Sequence, residues 1–302
     1  MGKRIKMWAL VLLCLVGMGV AKPILKESIE GFEPGKISFN KGTFEEGLQS
    51  TKEFLGNLGN MKLETGVNYD VEDAMTFVDS YEIWEDDLSK TYLTEGDLPE
   101  TMKVMVGGGS LIIEETTEEE IYVEAEGGFR LQGYVEDGQL TVSMVSKSVM
   151  STDYDSPEVR LYIPENLNLF DVLIDAGAGE VRVNGLSAAT MKAKVGAGTI
   201  TMEDMVVSDT DLSVAAGSMN FSGEVRGPLK AILTAGKMNM QIGGEVTDFN
   251  YLVSETAGGV LLDGDSVFTE DDKAAKIDNG ATKSMELYCT MGEIKVDFVS
   301  SI

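Results

Sequence analysis

Between Asn168 and Phe298 apolar and polar residues alternate in short runs, and each run is broken by the same phrase: IDAGAGEVRV, AKVGAGTITM, LSVAAGSMNF, AILTAGKMNM, VSETAGGVLL and LYCTMGEIKV. The glycines fall at Gly179, Gly198, Gly217 and Gly236, a spacing of 19, then at Gly258 and Gly292 after longer insertions. Five and three residues before each glycine the positions read Ile174/Ala176, Ala193/Val195, Leu212/Val214, Ala231/Leu233, Val253/Glu255 and Leu287/Cys289. Two and four after it they read Val181/Val183, Ile200/Met202, Met219/Phe221, Met238/Met240, Val260/Leu262 and Ile294/Val296. A period of two on both sides of a glycine predicts strand, corner, strand, with one face of each strand buried; a helix would need a period of 3.6.

One such unit cannot bury its apolar face alone, so successive units must stack, each placing its side chains over those of its neighbour at about 4.8 Å. The predicted fold is therefore all-β: a parallel β-helix-like solenoid with coils of about 19 residues. The glycine suits a corner that needs positive φ or has no room for a Cβ. Small residues precede it at Ala178, Ala197, Ala216, Ala235 and Ala257, with Met291 in the last copy. Six residues before the glycine, consecutive copies carry Lys192, Asp211 and Lys230, the alternation of sign that an in-register stack favours. Glu255 in an apolar column and the 34-residue step from Gly258 to Gly292 break the pattern and predict a bulge or loop.

Strand signals begin earlier, at Met102. Val104 and Val106 precede Gly107-Gly108-Gly109, and Leu111 and Ile113 follow, which makes an early coil about Gly109. Ile121 to Ala125, Phe129 to Leu131, Leu140 to Val145 and Val159 to Ile163 read as further short strands, and Glu114 to Glu120 as a solvated acidic loop. This sets a domain of residues 101–300. Residues 22–100 differ: Thr43 to Leu58 has near-helical apolar spacing with Thr43 placed as an N-cap, a weaker segment runs from Val71 to Trp84, and the region reads as a partly helical spacer or cap. At residues 1–21, Lys3, Arg4 and Lys6 precede an uncharged apolar run from Met7 to Ala21, the form of a signal peptide or a signal anchor. Either keeps the basic end inside and exports the rest, so the chain is expected outside the cytoplasmic membrane, held there or released after cleavage near Ala21.

The net charge of -27 repels nucleic acid and anionic headgroups and attracts cations, basic peptides or basic proteins. The absence of histidine excludes Ser-His-Asp and Cys-His catalysis and imidazole-ligated zinc. Cys14 and Cys289 are the only cysteines, and Cys289 falls in an inward column, a buried thiol and not a nucleophile. Asp263-Gly264-Asp265 followed by Glu270-Asp271-Asp272 imitates a calcium loop, but Val267, Phe268 and Ala274 stand where an EF-hand needs ligands and glycine. Gly107 to Ser110 and Gly177 to Gly179 lack the partners of a phosphate loop and read as turns. Phe221, Phe298 and the methionines at 191, 202, 219, 238, 240 and 291 fall in inward columns and read as core. No catalytic, cofactor-binding or metal-ligating residue is assigned, and no cofactor.

The serial G-A-G-x-[VI]-x-[VIM] corners and the N-terminal apolar segment resemble a bacterial β-strand-repeat family of unknown function, often labelled as adhesins, over Met102 to Phe298. The resemblance implies a β-solenoid on the outer side of the cytoplasmic membrane with a role in surface interaction or envelope-stress signalling. The expected function is a non-enzymatic surface scaffold that binds a protein or an envelope component. Membrane contact is expected only through the N-terminal segment, and the oligomeric state stays open. Two alternatives remain at this stage: a carbohydrate-active hydrolase or lyase on a β-helix, which needs a groove of clustered carboxylates, and an extracellular sensor partner of a membrane protein acting through residues 22–100.

Overall fold

A computed structural model describes residues 82–83, 90–126, 129–146, 158–268 and 273–300. These belong to the second of two compact units, Tyr69–Ile302. The expected signal segment, the helix from Thr43 to Leu58 and the acidic triplet Glu270 to Asp272 lie outside the described residues. Within the region expected to be partly helical, β1 (Glu82–Ile83) and β2 (Thr91–Tyr92) are strands.

From Thr101 onward the alternation becomes structure. The early coil is β3 (Thr101–Val106) and β4 (Ser110–Thr116). β5 (Tyr122–Glu126), β6 (Phe129–Glu136), β7 (Gln139–Ser146) and β8 (Glu158–Pro164) follow. The regular repeats are β9 (Asn168–Ala176), β10 (Glu180–Val195), β11 (Thr199–Val214), β12 (Ser218–Val225), β13 (Leu229–Leu233) and β14 (Lys237–Gly243). After a 3-10 turn at Val246–Asp248 come β15 (Phe249–Leu262), β16 (Asp265–Ser266), β17 (Ala274–Ile277) and β18 (Lys283–Val299).

Each coil presents one segment before its glycine corner, on a leading face, and one after it, on a trailing face. The segments pair in parallel with those of the neighbouring coils. On the leading face Ile174, Ala193, Leu212, Ala231 and Leu287 stand in one column, and on the trailing face Val183, Met202, Phe221, Met240 and Val296 stand in another. All of these are 2% exposed or less. Burying each large side chain stabilises by about 1.5 to 3 kcal/mol, so the interior of stacked columns holds the fold without a disulfide. The exceptions among the expected core residues are Met291 and Phe298, both half-buried. Met291 stands at the corner itself and Phe298 lies two residues past the last fully buried position of its strand, where the interior is ending.

The corner glycines are required mainly by close approach. A Cβ on Gly198 would lie 2.0 Å from the Gly179 carbonyl oxygen, one on Gly217 2.1 Å from that of Gly198, and one on Gly236 2.0 Å from that of Gly217. Every corner is thus pressed against the backbone of the previous one, a distance no side chain tolerates. The outward alternation also holds in register: Lys192 faces Asp211, Asp211 faces Lys230, and Lys230 faces Glu286.

Stack order departs from chain order at both ends. β3 lies between β7 and β9, and β4 between β8 and β10, so the coil formed by β7 and β8 lies outside the one that precedes it in the chain. At the other end β18 pairs with β13 and β14 along one edge and with β15 along the other. The 34-residue step thus holds an outer coil, β15, and a hairpin, after which the chain returns to fill the gap. Antiparallel strands finish both ends: β5 and β6 on β8 and β7, with β2 and β1 outside them, and β16 and β17 on β15. Such reversals interrupt the parallel ladder and blunt its edges.

Candidate functional site

The outward positions of the trailing face build an extended polar surface. Thr199, Ser218 and Lys237 share one column, and Thr201, Asn220, Asn239 and Lys295 the next. Ser222, Gln241 and Asp297 form a third, and Glu203 lies near it where the register of β11 against β12 shifts. The period of two that buries Met202, Phe221 and Met240 necessarily turns their neighbours outward. The side chains bond along the stack: Thr199 and Ser218 hydroxyls lie 3.1 Å apart, the Asn239 amide donates to Asn220 Oδ1 at 2.9 Å, and the Asn220 amide points to Thr201 Oγ1 at 3.5 Å. Lys295 donates to Asp297 at 2.6 Å. Between the second and third columns runs a shallow depression of about 310 Å³ that includes Asn220, Asn239, Gln241, Glu203 and Asp297 in its walls.

The polar groups this depression presents are mainly hydroxyls and amides. Its carboxylates, Glu203 and Asp297, stand three strands apart, about 14 Å at the usual strand spacing. Glycosidase carboxylates work at separations of roughly 5 to 9.5 Å. Asp297 is moreover committed to Lys295. Among the described residues no group of three or more histidine, cysteine or carboxylate side chains is placed to hold a metal ion.

An aromatic row lies on the same face, beyond β4. Tyr92 and Tyr122 pair across β2 and β5, and Tyr122 and Tyr162 across β5 and β8, with ring centroids 5.7 Å and 4.6 Å apart. Lys90 places its ammonium 3.9 Å from the Tyr122 ring centroid and bonds Glu118 at 2.7 Å. That bond holds the Glu118 carboxyl below the usual range. Tyr122 stacks on Tyr162 and meets Tyr92 at a tilt, with the ammonium over Tyr92 and Tyr122, so the row works as a clasp holding residues 90–93 to the stack. Sequence reasoning missed it because its three tyrosines come from three separated segments.

The remaining candidates settle into structural roles. Cys289 is buried, and burial pushes its thiol up to about 11. Glu255 lies in the outermost coil, where its carboxylate meets Lys273 at 3.2 Å and its N–H donates to the Lys273 carbonyl at 3.0 Å. The acidic break in the apolar column thus marks the end of the stack. Asp263 sits at φ 50° in the turn between β15 and β16, and its Oδ1 accepts the Phe298 N–H at 2.7 Å, so this carboxylate closes a turn. Gly107 to Gly109 and Gly177 to Gly179 are corners.

Fold and surface together define a β-solenoid with interleaved end coils and a polar ladder along its trailing face. Residues 100–243 match the model of the family described as Toastrack DUF4097. Among solved structures, the chain is similar to a candidate cell adhesion protein from Clostridium sporogenes ATCC 15579, at 11% identity and a TM-score of 0.35, covering 70% of this chain and 99% of that one. It is also similar to a candidate adhesin from Bacteroides fragilis NCTC 9343, at 10% identity and a TM-score of 0.30 over 70% and 96% of the two chains. A candidate lipid-binding protein from Parabacteroides distasonis ATCC 8503 is similar at 13% identity and a TM-score of 0.25, again over 70% and 96%. No curated protein matches the chain.

Proposed function

We propose that the chain is an exported, non-enzymatic surface scaffold whose trailing face binds a protein or another component of the cell envelope. The observation that carries this reading is the ladder of Thr, Ser, Asn and Gln side chains over β11, β12 and β14, held in register by its own hydrogen bonds. Polar groups fixed in advance at a regular spacing lose little entropy when they meet a partner. The basic and apolar residues 1–21 support export, residues 22–100 serve as spacer or cap, and residues 101–300 carry the interaction.

The test is capture from intact cell envelopes with residues 22–302 as bait, beside an Asn220→Ala/Asn239→Ala/Gln241→Ala variant. The expected result is a discrete partner retained by the native face and lost by the variant, with the variant's unfolding temperature nearly unchanged. Equal capture by both would remove the face from the reading. Recovery of polysaccharide alone, shortened during incubation, would overturn the non-enzymatic assignment.

A further inference from the structure

β18 is a strand inserted between two elements that come before it in the chain. Along one edge it pairs Met285 to Cys289 with Leu229 to Leu233 and Glu293 to Val299 with Lys237 to Gly243; along the other it pairs with β15 almost throughout its length. One wall is part of the stack, and the other is bonded to the stack through β18. β14 belongs to the regular stack, and β15 carries its own outer cover, β16 and β17. The strand enters through residues 278–282, where Gly280 has φ +70° and Asn250 binds Ala281 on both sides, its amide donating to the carbonyl at 2.7 Å and its Oδ1 accepting the N–H at 3.2 Å.

Charged positions of β18 face lysines across the slot. Lys230 faces Glu286 and Lys237 faces Glu293. β15 offers Leu252 and Gly259 at the equivalent positions, because Leu252 faces Glu286 and Gly259 faces Glu293 on the far edge of β18. Most inward residues match: Val253, Val260 and Leu262 of β15 stand in the same columns as Leu287, Ile294 and Val296 of β18. Glu255 does not, because it stands in the column of Cys289, and direct closure of β15 onto β13 would set its carboxylate against Leu233. Glu255 and the facing lysine and glutamate positions together favour the inserted strand over this closure.

We propose that the slot between β14 and β15 is a strand-acceptor site whose partner in trans is residues 283–299 of a second copy of this chain. The exchange makes no new kind of contact: the second copy supplies the same backbone pairs, the same buried Met285, Leu287, Cys289, Ile294 and Val296, and the same two glutamates. An inserted strand joined by a short segment is the element that domain swapping exchanges at low cost. This association is independent of what the polar ladder binds.

The test uses full-length chains in a Cys14→Ser background. Asn239 and Lys295 are direct partners across β14 and β18, within disulfide reach at ordinary strand spacing. Chains bearing Asn239→Cys are refolded together with chains bearing Lys295→Cys, and the link is mapped by mass spectrometry. The expected result is a 239–295 disulfide between copies whose yield rises with concentration. Adding Glu286→Lys/Glu293→Lys to the donor chain should lower that yield about tenfold, since each reversal turns an opposite-charge pair into a like-charge one. Absence of the interchain link, where the double variant Asn239→Cys/Lys295→Cys closes within one chain, overturns the proposal. If the double variant does not close, isotopically heavy and light native chains are refolded together. Mixed dimers lost on charge reversal then support the proposal, and their absence, or their survival in the reversed chains, overturns it.

Discussion

Gly258 and Gly292 are direct partners on adjacent parallel strands, and a Cβ on Gly292 would lie 2.1 Å from the carbonyl oxygen of Gly236. The corner that comes last in the chain is therefore next to last in the stack. The column runs Gly179, Gly198, Gly217, Gly236, Gly292, Gly258, and a Cβ on Gly258 would meet the carbonyl oxygen of Gly292 at 2.7 Å.

Substitution along this column tests the close approach directly. Gly198→Ala puts a methyl group 2.0 Å from a backbone oxygen that cannot move without shifting the next coil. The expected cost is about 3 kcal/mol, read as a fall of roughly 5 to 10 °C in thermal unfolding. Gly259→Ala is the control: nothing lies within 4 Å of its Cβ, and its unfolding temperature should stay close to native.

The end coil gives a second test. Glu255 is 11% exposed in its side chain and paired with the much more open Lys273. Lys273→Ala leaves a largely buried carboxylate without its partner and should cost about 1 to 2 kcal/mol. Glu255→Val continues the apolar column and should be neutral or stabilising, and Glu255→Val/Lys273→Ala should resemble Glu255→Val alone. Chemical denaturation of the three variants checks the order; a double variant as weak as Lys273→Ala would show that the lysine acts through something other than the ion pair.

Asp175 predicts a pH dependence of uncommon sign. Burial raises its pKa, opposed by Lys194 and Lys103, and Oδ1 has no hydrogen-bond partner. The folded chain therefore holds this proton more tightly than the unfolded chain, whose value is about 3.9. The group's contribution is fully present below that value and is lost as pH rises through the raised folded value. Asp175→Asn removes the loss, so the variant should melt above the native chain near neutral pH, and the gap should close by about pH 4. Melting temperatures between pH 3.5 and 8 decide it; a constant gap would place the effect elsewhere.

Cys289 should be silent toward thiol reagents in the folded chain. It is buried, its thiol is pushed up to about 11, and its Sγ lies under the Gly258 corner, 2.4 Å from where a Cβ there would stand. At pH 7.5 alkylation mapped to this residue should be absent without denaturant and complete in it. Ready modification of the native chain would mean that the last two coils separate.

The repeat, the corner and the two inward faces were legible because each is written locally: a period of two, a small residue, a glycine, and the same again 19 residues later. Order in the stack was not legible. Nearly identical columns let most coils sit on one another, and only Glu255, the facing Lys230/Glu286 and Lys237/Glu293 positions and the hairpin after Leu262 separate the observed order from the sequential one. Glu255 stood out in the sequence, but its reason, Lys273 on a strand that turns back over it, is a tertiary fact. The polar ladder was present as outward positions, yet its hydrogen bonds emerge only once the register is known. The tyrosine clasp is non-local at every step.

The interleaving near Thr101 has a mechanical consequence. Among the described residues, tension applied from the N-terminal side meets β1 and then β2, each two residues long and bonded to one strand, β6 and β5 respectively, and should peel them away one bond at a time. It then reaches β3, which is bonded to β7 on one side and β9 on the other. There the load must shear both ladders together, so the coil nearest the pulled end resists extension more strongly than its place in the chain suggests.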